Sequence, residues 1–241
     1  DVASINGVYK IQEGRPINQL YVITVDRIVR DQADLDYVQA LVDRNPGYFS
    51  TFPRPGLGDF LYADANGDGS LDNDDRVEIG GGSLPNLTYG ISLGAQWKGF
   101  DISMLLQGVG DYKVYYNNQA FRFVTVMGQS LIKDITDNAW TPKNPYDSKY
   151  PRLRNSANGM NNIASDAFVH DASYLRCKNL QVGYTVPRQF TERFSVSNLK
   201  LYASFDNLFT ITSFPGLDPE IDAGVGYPAV RQYSLGLNIT F

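Results

Sequence analysis

The sequence has very little cysteine and very little histidine. It contains one residue of each type, Cys177 and His170, among 241 residues. A single cysteine excludes an internal disulfide framework, so we expect Cys177 to be a buried or lipid-side thiol. With one histidine, no Ser-His-Asp or Cys-His arrangement can be argued, although Asp171 follows His170 directly. We therefore expect His170 to be a surface or loop histidine and predict no catalytic residues.

An excess of basic charge and long apolar runs are also missing. The formal net charge is −5, and no basic stripe stands out, so we do not expect a nucleic-acid partner. No apolar run approaches the ~20 residues that a transmembrane helix needs. This absence does not exclude a membrane barrel, because barrel strands alternate apolar and polar residues. The chain begins Asp-Val-Ala-Ser, which leads us to expect a processed protein or a fragment.

Alternation of apolar and polar residues with period two is the dominant pattern. The 16 tyrosines and 13 phenylalanines suit strands, and they also suit the aromatic girdles of membrane barrels. Lys98-Gly99 separates the first two alternating runs and predicts a two-residue hairpin turn. The predicted strands are Tyr89–Trp97, Phe100–Leu106, Leu180–Val186, Leu199–Asp206 and Gln232–Phe241.

The second face of each predicted strand is small and polar rather than charged, which fits a wet barrel lumen better than the outside of a soluble sandwich. Between the strands lie two long polar segments, Gly110–Arg154 and Asn155–Ser173. Loops of this length are unusual in compact soluble domains but common on the outer side of membrane barrels. Within Ala33–Val42, apolar residues have helical spacing and predict a short helix. We predict an all-β fold of antiparallel strands with long loops.

One segment carries a recognisable chemical pattern. Residues 64–75 read Asp-Ala-Asn-Gly-Asp-Gly-Ser-Leu-Asp-Asn-Asp-Asp, which matches the calcium loop D-x-[DN]-x-[DN]-G. Gly69 allows the sharp turn at position 6, and the last position carries Asp where an EF-hand uses Glu. The predicted ligands are Asp64, Asn66, Asp68, Ser70 through its backbone carbonyl, Asp72 and Asp75.

The predicted ligands of this loop are all oxygen atoms. Closely spaced acidic side chains repel one another unless a hard cation neutralises them, and oxygen ligands without His or Cys favour Ca²⁺. The flanking sequence is strand-like, so we expect a structural calcium site rather than a switching EF-hand. The alternative is a solvated acidic turn in which glycine supplies the positive φ angle.

Other candidate sites are weaker. Asp218 and Glu220 are a carboxylate pair of the kind that glycosidases use, but the sequence does not place them across a cleft. Trp140, Tyr146 and Tyr150 belong to a long polar segment, where they either stack on a sugar or simply pack. The glycines of residues 80–83 are expected to form a flexible loop, because no P-loop lysine follows them.

Several stretches of the sequence, in their order, carry a family resemblance. They are Gly58–Ser70 with Asp75-Arg76, Leu84–Gly90 with Trp97–Asp101, Tyr174–Leu180 with Gly183-Tyr184 and Val186-Pro187, and finally Asn207–Phe209, Gly216–Glu220, Tyr227-Pro228, Arg231 and Phe241. The chain from about Gly7 onwards resembles the C-terminal region of SusC/RagA-type TonB-dependent outer-membrane transporters. The terminal aromatic residue, after an alternating strand, also resembles the signal that barrel-assembly machinery reads.

This resemblance implies a location and a set of partners. The chain would be the C-terminal segment, residues 1–241, of a transmembrane β-barrel in the bacterial outer membrane, in contact with lipid. The plug, the TonB-contacting region and the earlier strands of a 22-stranded barrel would lie outside it. The whole protein would import a glycan or a peptide with energy from TonB, and a SusD-like surface lipoprotein would cap it.

Two other classes of protein stay open from the sequence. The first is a soluble, secreted calcium-binding β-sandwich that binds carbohydrate. The second is a glycan-processing enzyme, which would need paired carboxylates in a cleft. Strand faces with few charges and long polar segments argue against the sandwich, and no cleft can be derived for the enzyme.

Overall fold

Strands predominate in the computed structural model, and the helices are short. It describes residues 3–82, 84–124, 131–155, 159–221 and 227–241. The strands are β1 Ser4–Asn6, β2 Tyr9–Ile11, β3 Gln19–Val22, β4 Val25–Ile28, β5 Phe60–Tyr62, β6 Val77–Gly82, β7 Leu87–Trp97, β8 Phe100–Gly110, β9 Lys113–Tyr115, β10 Val169–Asp171, β11 Tyr174–Thr185, β12 Asn198–Asp206, β13 Thr210–Thr212 and β14 Gln232–Thr240. The helices are α1 Gln32–Arg44, α2 Lys133–Asn138 and α3 Arg188–Thr191. None of the helices in the described ranges is long and apolar enough to cross a membrane.

The chain divides into two units. Unit 1 comprises residues 1–83 and 114–170, and unit 2 comprises residues 84–113 and 171–241. Unit 1 contains a four-stranded antiparallel sheet in the order β1-β2-β3-β6 and a separate antiparallel pair, β4-β5. Unit 2 contains a sheet in the order β14-β12-β11-β8-β7, and β13 also pairs with β11.

Helix α1 confirms the helix predicted over Ala33–Val42. Asp31 caps its first turn by accepting a hydrogen bond from the backbone N–H of Asp34 at 3.1 Å. Arg44 lies in the last turn, where its positive charge interacts favourably with the negative end of the helix dipole. Its apolar face packs Val38 against β5 and the segment that follows β4. Fully burying one such side chain stabilises the fold by about 1.5–3 kcal/mol. This cluster consists of Val29, Val38 and Leu61, with Leu35, Leu41 and Phe49 packed against it.

The five strands predicted from alternation are all present in unit 2. Lys98 and Gly99 form the predicted hairpin turn, with φ angles of 49° and 88°. Positive φ at both central residues matches the right-handed twist of the two strands that the turn joins, β7 and β8. The pairing of β11 with β8 shifts register between Cys177 and Asn179, where a bulge interrupts the ladder. The sequence pattern gave no sign of this bulge.

The two long polar segments are not simply loops, which corrects that prediction. They contain α2 and β10, and parts of them pack into unit 1 with aromatic residues buried, including Phe123 and Phe168. Residues 125–130 and 156–158 of these segments lie outside the described residues. The glycines predicted to form a flexible loop instead end strand β6, with Gly80 and Gly81 at positive φ.

Short 3₁₀ turns complete the structure. They are Asn73–Asp75, Gln119–Phe121, Met160–Asn162, Asp166–Phe168 and Glu192–Phe194. The first of them lies inside the acidic segment and follows from local chemistry. The Asp72 side chain accepts a hydrogen bond from the backbone of this turn, and the Asp75 carboxylate accepts one from the backbone N–H of Asp72. This reciprocal arrangement satisfies two backbone N–H groups at the start of the turn.

Candidate functional site

The sheet of unit 2 has one face that is apolar from edge to edge. Paired residues share a face, so the register aligns the alternating apolar residues of all five long strands into rows. The rows are Trp97-Phe100-Tyr184-Leu201-Leu237, Ala95-Ile102-Val182-Ala203-Leu235 and Leu93-Met104-Leu180-Phe205-Tyr233. Many of these side chains are exposed, for example 69% of Trp97 and 91% of Leu235. A continuous exposed apolar surface of this kind marks contact with a partner or with lipid.

The opposite face of the same sheet is small and polar. Its rows are Gly94-Ser103-Gln181-Ser204-Ser234 and Gln96-Asp101-Gly183-Tyr202-Gly236. Lys200 Nζ reaches over β11 to Asp101 Oδ1 at 2.7 Å. A Cβ atom on Gly183 would lie 2.5 Å from Asp101 Oδ2 and 2.6 Å from Lys200 Cε, so this ion pair needs a glycine beneath it. The small residues of this face therefore make room for polar side chains that cross the strands.

Aromatic residues lie towards both ends of the apolar face. Trp97, Phe100 and Tyr184 form the row next to the Lys98-Gly99 turn. Tyr89 lies eight positions earlier along β7, which corresponds to about 27 Å at ~3.4 Å per residue. Barrel strands tilt by about 35–45°, so this length corresponds to a height of about 19–22 Å, which is comparable with the apolar band of about 25 Å that aromatic girdles flank in transmembrane barrels. The length and the aromatic ends of this face both match such a band.

The connections of the sheet differ at its two ends. Residues 111–173 follow β8, and residues 207–231 follow β12, so both long connections leave from one end. At the other end the connections are Lys98-Gly99 and residues 186–197. Membrane barrels have this asymmetry, with short turns on the periplasmic side and long loops on the outer side.

The acidic segment in unit 1 folds back on itself. Asp64 accepts hydrogen bonds from the backbone N–H groups of Gly67 at 2.7 Å and Gly69 at 2.9 Å. Asn66 and Asp68 each accept one from the residue two positions later, at 2.8 Å. These local bonds form the sequence of tight turns that the motif predicts, with Gly67 and Gly69 at positive φ.

Asp75 closes the acidic segment from its far end. Its Oδ1 accepts the N–H groups of Ala65 at 2.9 Å and Asn66 at 3.4 Å, and its Oδ2 accepts that of Asp72 at 2.9 Å. Burial raises the pKa of Asp75, against the three backbone hydrogen bonds, which lower it. The first and last predicted ligands therefore lie on one compact loop. Within the described ranges, no three Asp, Glu, His or Cys side chains are grouped closely enough to hold a metal by themselves.

A buried ion cluster in unit 1 was not predicted. Asp59 is fully buried, and its carboxylate accepts hydrogen bonds from Arg152 at 2.9 and 3.0 Å, from Arg154 and from Asn161 at 3.1 Å. Burial opposes ionisation, but the two arginines lower the pKa of Asp59 below its usual value. Gly58 completes the arrangement, since a Cβ atom there would lie 2.4 Å from a ring carbon of Trp140. This cluster joins segments about 100 residues apart and has a structural role.

A second unpredicted cluster lies in unit 2. Arg176 is 1% exposed and donates to Asp218 Oδ1 at 2.6 Å, to Glu220 and to Thr210 Oγ1 at 2.9 Å. Tyr174 also donates a hydrogen bond to Glu220. The sequence offered this carboxylate pair as a glycosidase candidate, but here the pair holds the connection after β13 against strand β11. The signal that sequence reasoning missed was Arg176, a charged residue in strand β11, where apolar and uncharged polar residues mostly alternate.

The other predicted positions have structural surroundings. His170 lies in β10, not in a loop, and is partly exposed, with its ring near those of Tyr116 and Phe121. Burial lowers its pKa. Trp140 is almost fully buried beside Gly58, which supports the packing interpretation for this residue. Tyr146 is exposed and donates to Asp31 at 2.8 Å. Tyr150 packs against Phe123 with ring centroids 5.8 Å apart, and Cys177 is buried, as expected.

Together, the exposed apolar face, the small polar face, the aromatic ends and the asymmetric connections define a class of protein. They are the features of the wall of an antiparallel outer-membrane β-barrel, of which this chain supplies five long strands.

Comparison with known proteins identifies the kind of barrel. TonB-dependent receptor P3 of Formosa agariphila is 31% identical over 201 residues, which cover 75% of this chain and 19% of the receptor. TonB-dependent receptor SusC of Bacteroides thetaiotaomicron is 28% identical over 185 residues, covering 75% of this chain and 17% of SusC. The solved structure of the RagAB peptide transporter matches with a TM-score of 0.73 and 25% identity over 98% of this chain and 24% of that one. No model of a protein family matches.

The chain is thus related to TonB-dependent receptors of the SusC and RagA type, as the sequence resemblance indicated. It spans about one fifth of the length of the curated relatives that it matches. The predicted fold class of antiparallel barrel strands is confirmed. Receptors of this type are outer-membrane proteins and not enzymes, so the predicted location and the prediction that the protein is not an enzyme are also confirmed.

Proposed function

We propose that this chain is the C-terminal segment of a TonB-dependent importer and forms part of its barrel wall in the outer membrane. The observation that carries this proposal is the register that places the apolar residues of five strands on one exposed face. Lipid satisfies such a face, while the polar face lines a lumen. Every backbone group in lipid needs an internal partner, so strands beyond this chain would close the barrel at β7 and β14.

The soluble sandwich fits this geometry less well. A sandwich buries the inner face of each sheet under a second sheet. In unit 2 the apolar face is instead open, with Leu235 and Trp97 among its most exposed side chains. Enzymatic hydrolysis is no longer supported by the carboxylate pair, because Asp218 and Glu220 are both bound to Arg176.

The cargo of the importer would be a peptide or a glycan. Similarity to the RagAB peptide transporter supports a peptide, and a glycan is the other cargo class that the sequence resemblance implies. By the same similarity, TonB would supply the energy through a region outside this chain. A SusD-like surface lipoprotein would cap the barrel, with the long connections of this chain contributing to the contact.

Uptake by living cells tests this proposal. Cells that carry the intact transporter are given a fluorescent peptide mixture or a fluorescent oligosaccharide, and uptake is measured with and without a functional TonB. We expect uptake of one cargo class that is lost when either the transporter gene or TonB is deleted. Uptake that persists without TonB would contradict the proposal. Co-purification of a SusD-like lipoprotein with the tagged transporter tests the partner separately.

We also propose that the acidic loop of residues 64–75 binds a structural calcium ion. The tight turns at Asp64, Asn66 and Asp68 and the return of Asp75 to the start of the loop support this proposal. The carboxylate and amide oxygens of these residues, with the carbonyl of Ser70 and the side chain of Asp72, are the hard ligands that Ca²⁺ prefers. The ion would supply a fixed charge that rigidifies the loop.

A pair of substitutions in the same loop tests calcium binding. Asp68→Ala removes a predicted ligand, whereas Asp74→Ala removes the same charge from an exposed position that is not a predicted ligand. Calcium titration of the intact protein in detergent is followed by calorimetry and by the shift in Tm. We expect Asp68→Ala to weaken binding on the order of tenfold and Asp74→Ala to change it little. If both substitutions weakened calcium binding equally, the segment would be a general acidic surface and not a specific calcium site.

A further inference from the structure

The hairpin turn between β7 and β8 presents a tryptophan and a lysine side by side. Trp97 is the last residue of β7 on the apolar face, where 69% of it is exposed. The Nζ atom of Lys98 lies over the Trp97 ring, 4.8 Å from its centroid. Among the described residues, neither the Lys98 ammonium nor the Trp97 indole N–H has a hydrogen-bond acceptor. Two neighbouring donors are therefore open at this end of the sheet.

A cavity surrounds the tip of this turn. Its volume is about 360 Å³, and residues of β7, β8, β11 and β12 line it together with the turn. The charged residues of its lining are Lys98, Asp101 and Lys200. Because Lys200 Nζ is paired with Asp101 Oδ1 at 2.7 Å, Lys98 supplies the net charge. The cavity is therefore positively charged and suits an anionic group.

The other connection at this end, residues 186–197, exposes two phenylalanines. The backbone N–H of Thr185 donates to the carbonyl of Gly99 at 2.8 Å, so this connection starts beside the hairpin turn. It contains α3 and the 3₁₀ turn that follows, in which Phe190 is 62% exposed and Phe194 is 76% exposed. Residues four positions apart are neighbours on the surface of a helix. The two rings therefore form one apolar side of this helical segment.

The same helical segment carries an unpaired positive charge. Arg188 Nε and Glu192 Oε1 are paired at 3.0 Å. Arg193 is exposed and has no ion-pair partner among the described residues. Together with Lys98, this end of the sheet has two unpaired cationic side chains, whereas its acidic side chains, those of Glu192 and Asp101, are both paired. Exposed apolar residues beside basic ones are typical of segments that lie in a membrane interface.

We propose that this end of the sheet binds an anionic phospholipid, with the Lys98 ammonium and the Trp97 indole N–H donating hydrogen bonds to its phosphate. Phe190 and Phe194 would enter the membrane interface beside the headgroup, and Arg193 would supply the second cation. Short turns of membrane barrels lie on the periplasmic side, so the lipid would belong to the inner leaflet. This rests on the lipid-facing wall of the proposed function but not on the import of cargo.

A lipid accounts for the apolar and the basic groups together. Trp97 shares its row on the apolar face with Phe100 and Tyr184, and aromatic residues of this kind are enriched where a membrane meets water. A soluble anion would leave the rings of Phe190 and Phe194 in water. The glycerol and acyl regions of a lipid would cover them while its phosphate neutralises the cations.

Lipid titration of the intact transporter in a non-ionic detergent tests this proposal. Dioleoylphosphatidylglycerol, dioleoylphosphatidylcholine and glycerol 3-phosphate are added separately, and native mass spectrometry gives the Kd of each. We expect phosphatidylglycerol to bind more tightly than phosphatidylcholine, whose choline offsets the phosphate charge, and more tightly than glycerol 3-phosphate, which has no acyl chains. Equal affinity for the two lipids would overturn the proposal. Glycerol 3-phosphate that binds as tightly as phosphatidylglycerol would also overturn it, in favour of a soluble anion.

Charge substitutions provide the residue-level test. A basic residue near an anionic membrane surface contributes about 1 kcal/mol, or about a fivefold change in affinity. Lys98→Gln and Arg193→Gln should therefore each weaken phosphatidylglycerol binding about fivefold, with a smaller effect on phosphatidylcholine. Lys143→Gln removes the same charge from an exposed position in the long connection after β8 and should change neither Kd. The proposal is wrong if the Lys98→Gln, Arg193→Gln double variant binds phosphatidylglycerol as tightly as the Lys143→Gln variant.

The phenylalanines are tested by a second double variant. Because both rings are exposed, Phe190→Ser with Phe194→Ser should leave the Tm in detergent unchanged, while the affinity for both lipids falls by about tenfold through lost apolar contact. Unchanged affinity for both lipids would refute the role of these rings. TonB-dependent uptake that fails while phosphatidylglycerol still binds through Lys98 would contradict the import function alone. A transporter that imports cargo without this lipid preference would contradict the lipid proposal alone.

Discussion

Two adjacent residues of β11 allow a sharp test of which face of the sheet meets lipid. Val182 lies on the apolar face between Ile102 and Ala203, and Gln181 lies on the opposite face between Ser103 and Ser204. Both belong to an interior strand with a neighbour on each side. Val182→Arg and Gln181→Arg therefore introduce the same charge at nearly the same depth, but on opposite faces.

The magnitude follows from the position of the row. Val182 lies one row from the aromatic row that contains Trp97 and Phe100, and one row from the row that contains Phe205. An arginine on the lipid face costs about 2–4 kcal/mol at the bilayer midplane and about 0–1 kcal/mol near the interface, so we expect about 1–2 kcal/mol at the intermediate depth of Val182. This corresponds to roughly 0.7 to 1.4 powers of ten in the folding equilibrium constant, at about 1.4 kcal/mol per tenfold change. The lumen-facing variant should lose less than about 0.5 kcal/mol.

The assay uses the intact protein folded into phosphatidylcholine vesicles. The free energy of unfolding is measured by guanidinium titration, and the folded fraction is checked by the change in gel mobility on heating. Val182→Arg should lower the midpoint clearly, with Gln181→Arg close to wild type. Equal destabilisation by both substitutions would refute the assignment of the apolar face to lipid. A larger effect of Gln181→Arg would reverse the two faces.

Three further predictions follow from the buried charges and the tight packing. Arg176→Ala leaves Asp218 without its partner and should cost about 3–5 kcal/mol in guanidinium unfolding, whereas a loss below 1 kcal/mol would contradict a buried pair. Gly58→Ala, with its φ of +80° and its Cβ pressed against Trp140, should lower Tm by several degrees, and an unchanged Tm would disprove the contact. The pKa of Asp59 is lowered on folding, so its stabilisation is present above the unfolded pKa of about 3.9 and is lost as the pH falls through the folded value. Asp59→Asn should therefore flatten the acid side of the plot of Tm against pH, and an unchanged slope would contradict this origin.

The sequence predicted the long strands of unit 2 because their pattern is local. Nine to twelve residues with period two leave little ambiguity, and Lys98-Gly99 marks the hairpin between two of them. The short strands of unit 1 escaped prediction for the opposite reason. Strands of three or four residues show no period, and β3 pairs with β6 across about 60 residues of sequence.

The same difference between local and distant partners decided which charged sites could be predicted from the sequence. The acidic loop was predictable because its ligands lie within twelve consecutive residues and bond mainly to their own backbone. The partners of Asp59 and Arg176 lie roughly 40 to 100 residues away, and no local pattern pairs them. Asp218 and Glu220 were noticed as carboxylates, but the role of the pair depends on an arginine in a distant strand.

Residues 114–170 of unit 1 lie between β8 and β11 in the sequence, which has a consequence for the order of folding. About 63 residues separate these paired strands, against two in the Lys98-Gly99 turn. Closing the longer connection as a flexible chain costs about 3 kcal/mol more than closing the turn. Within unit 1, however, the N–H of Tyr116 donates to the carbonyl of Phe168 at 2.7 Å, so the two ends of the inserted segment already lie side by side. We expect the inserted segment to fold before β8 and β11 pair, so Gly58→Ala, whose added Cβ would clash with Trp140 of that segment, should slow the pairing of β8 with β11.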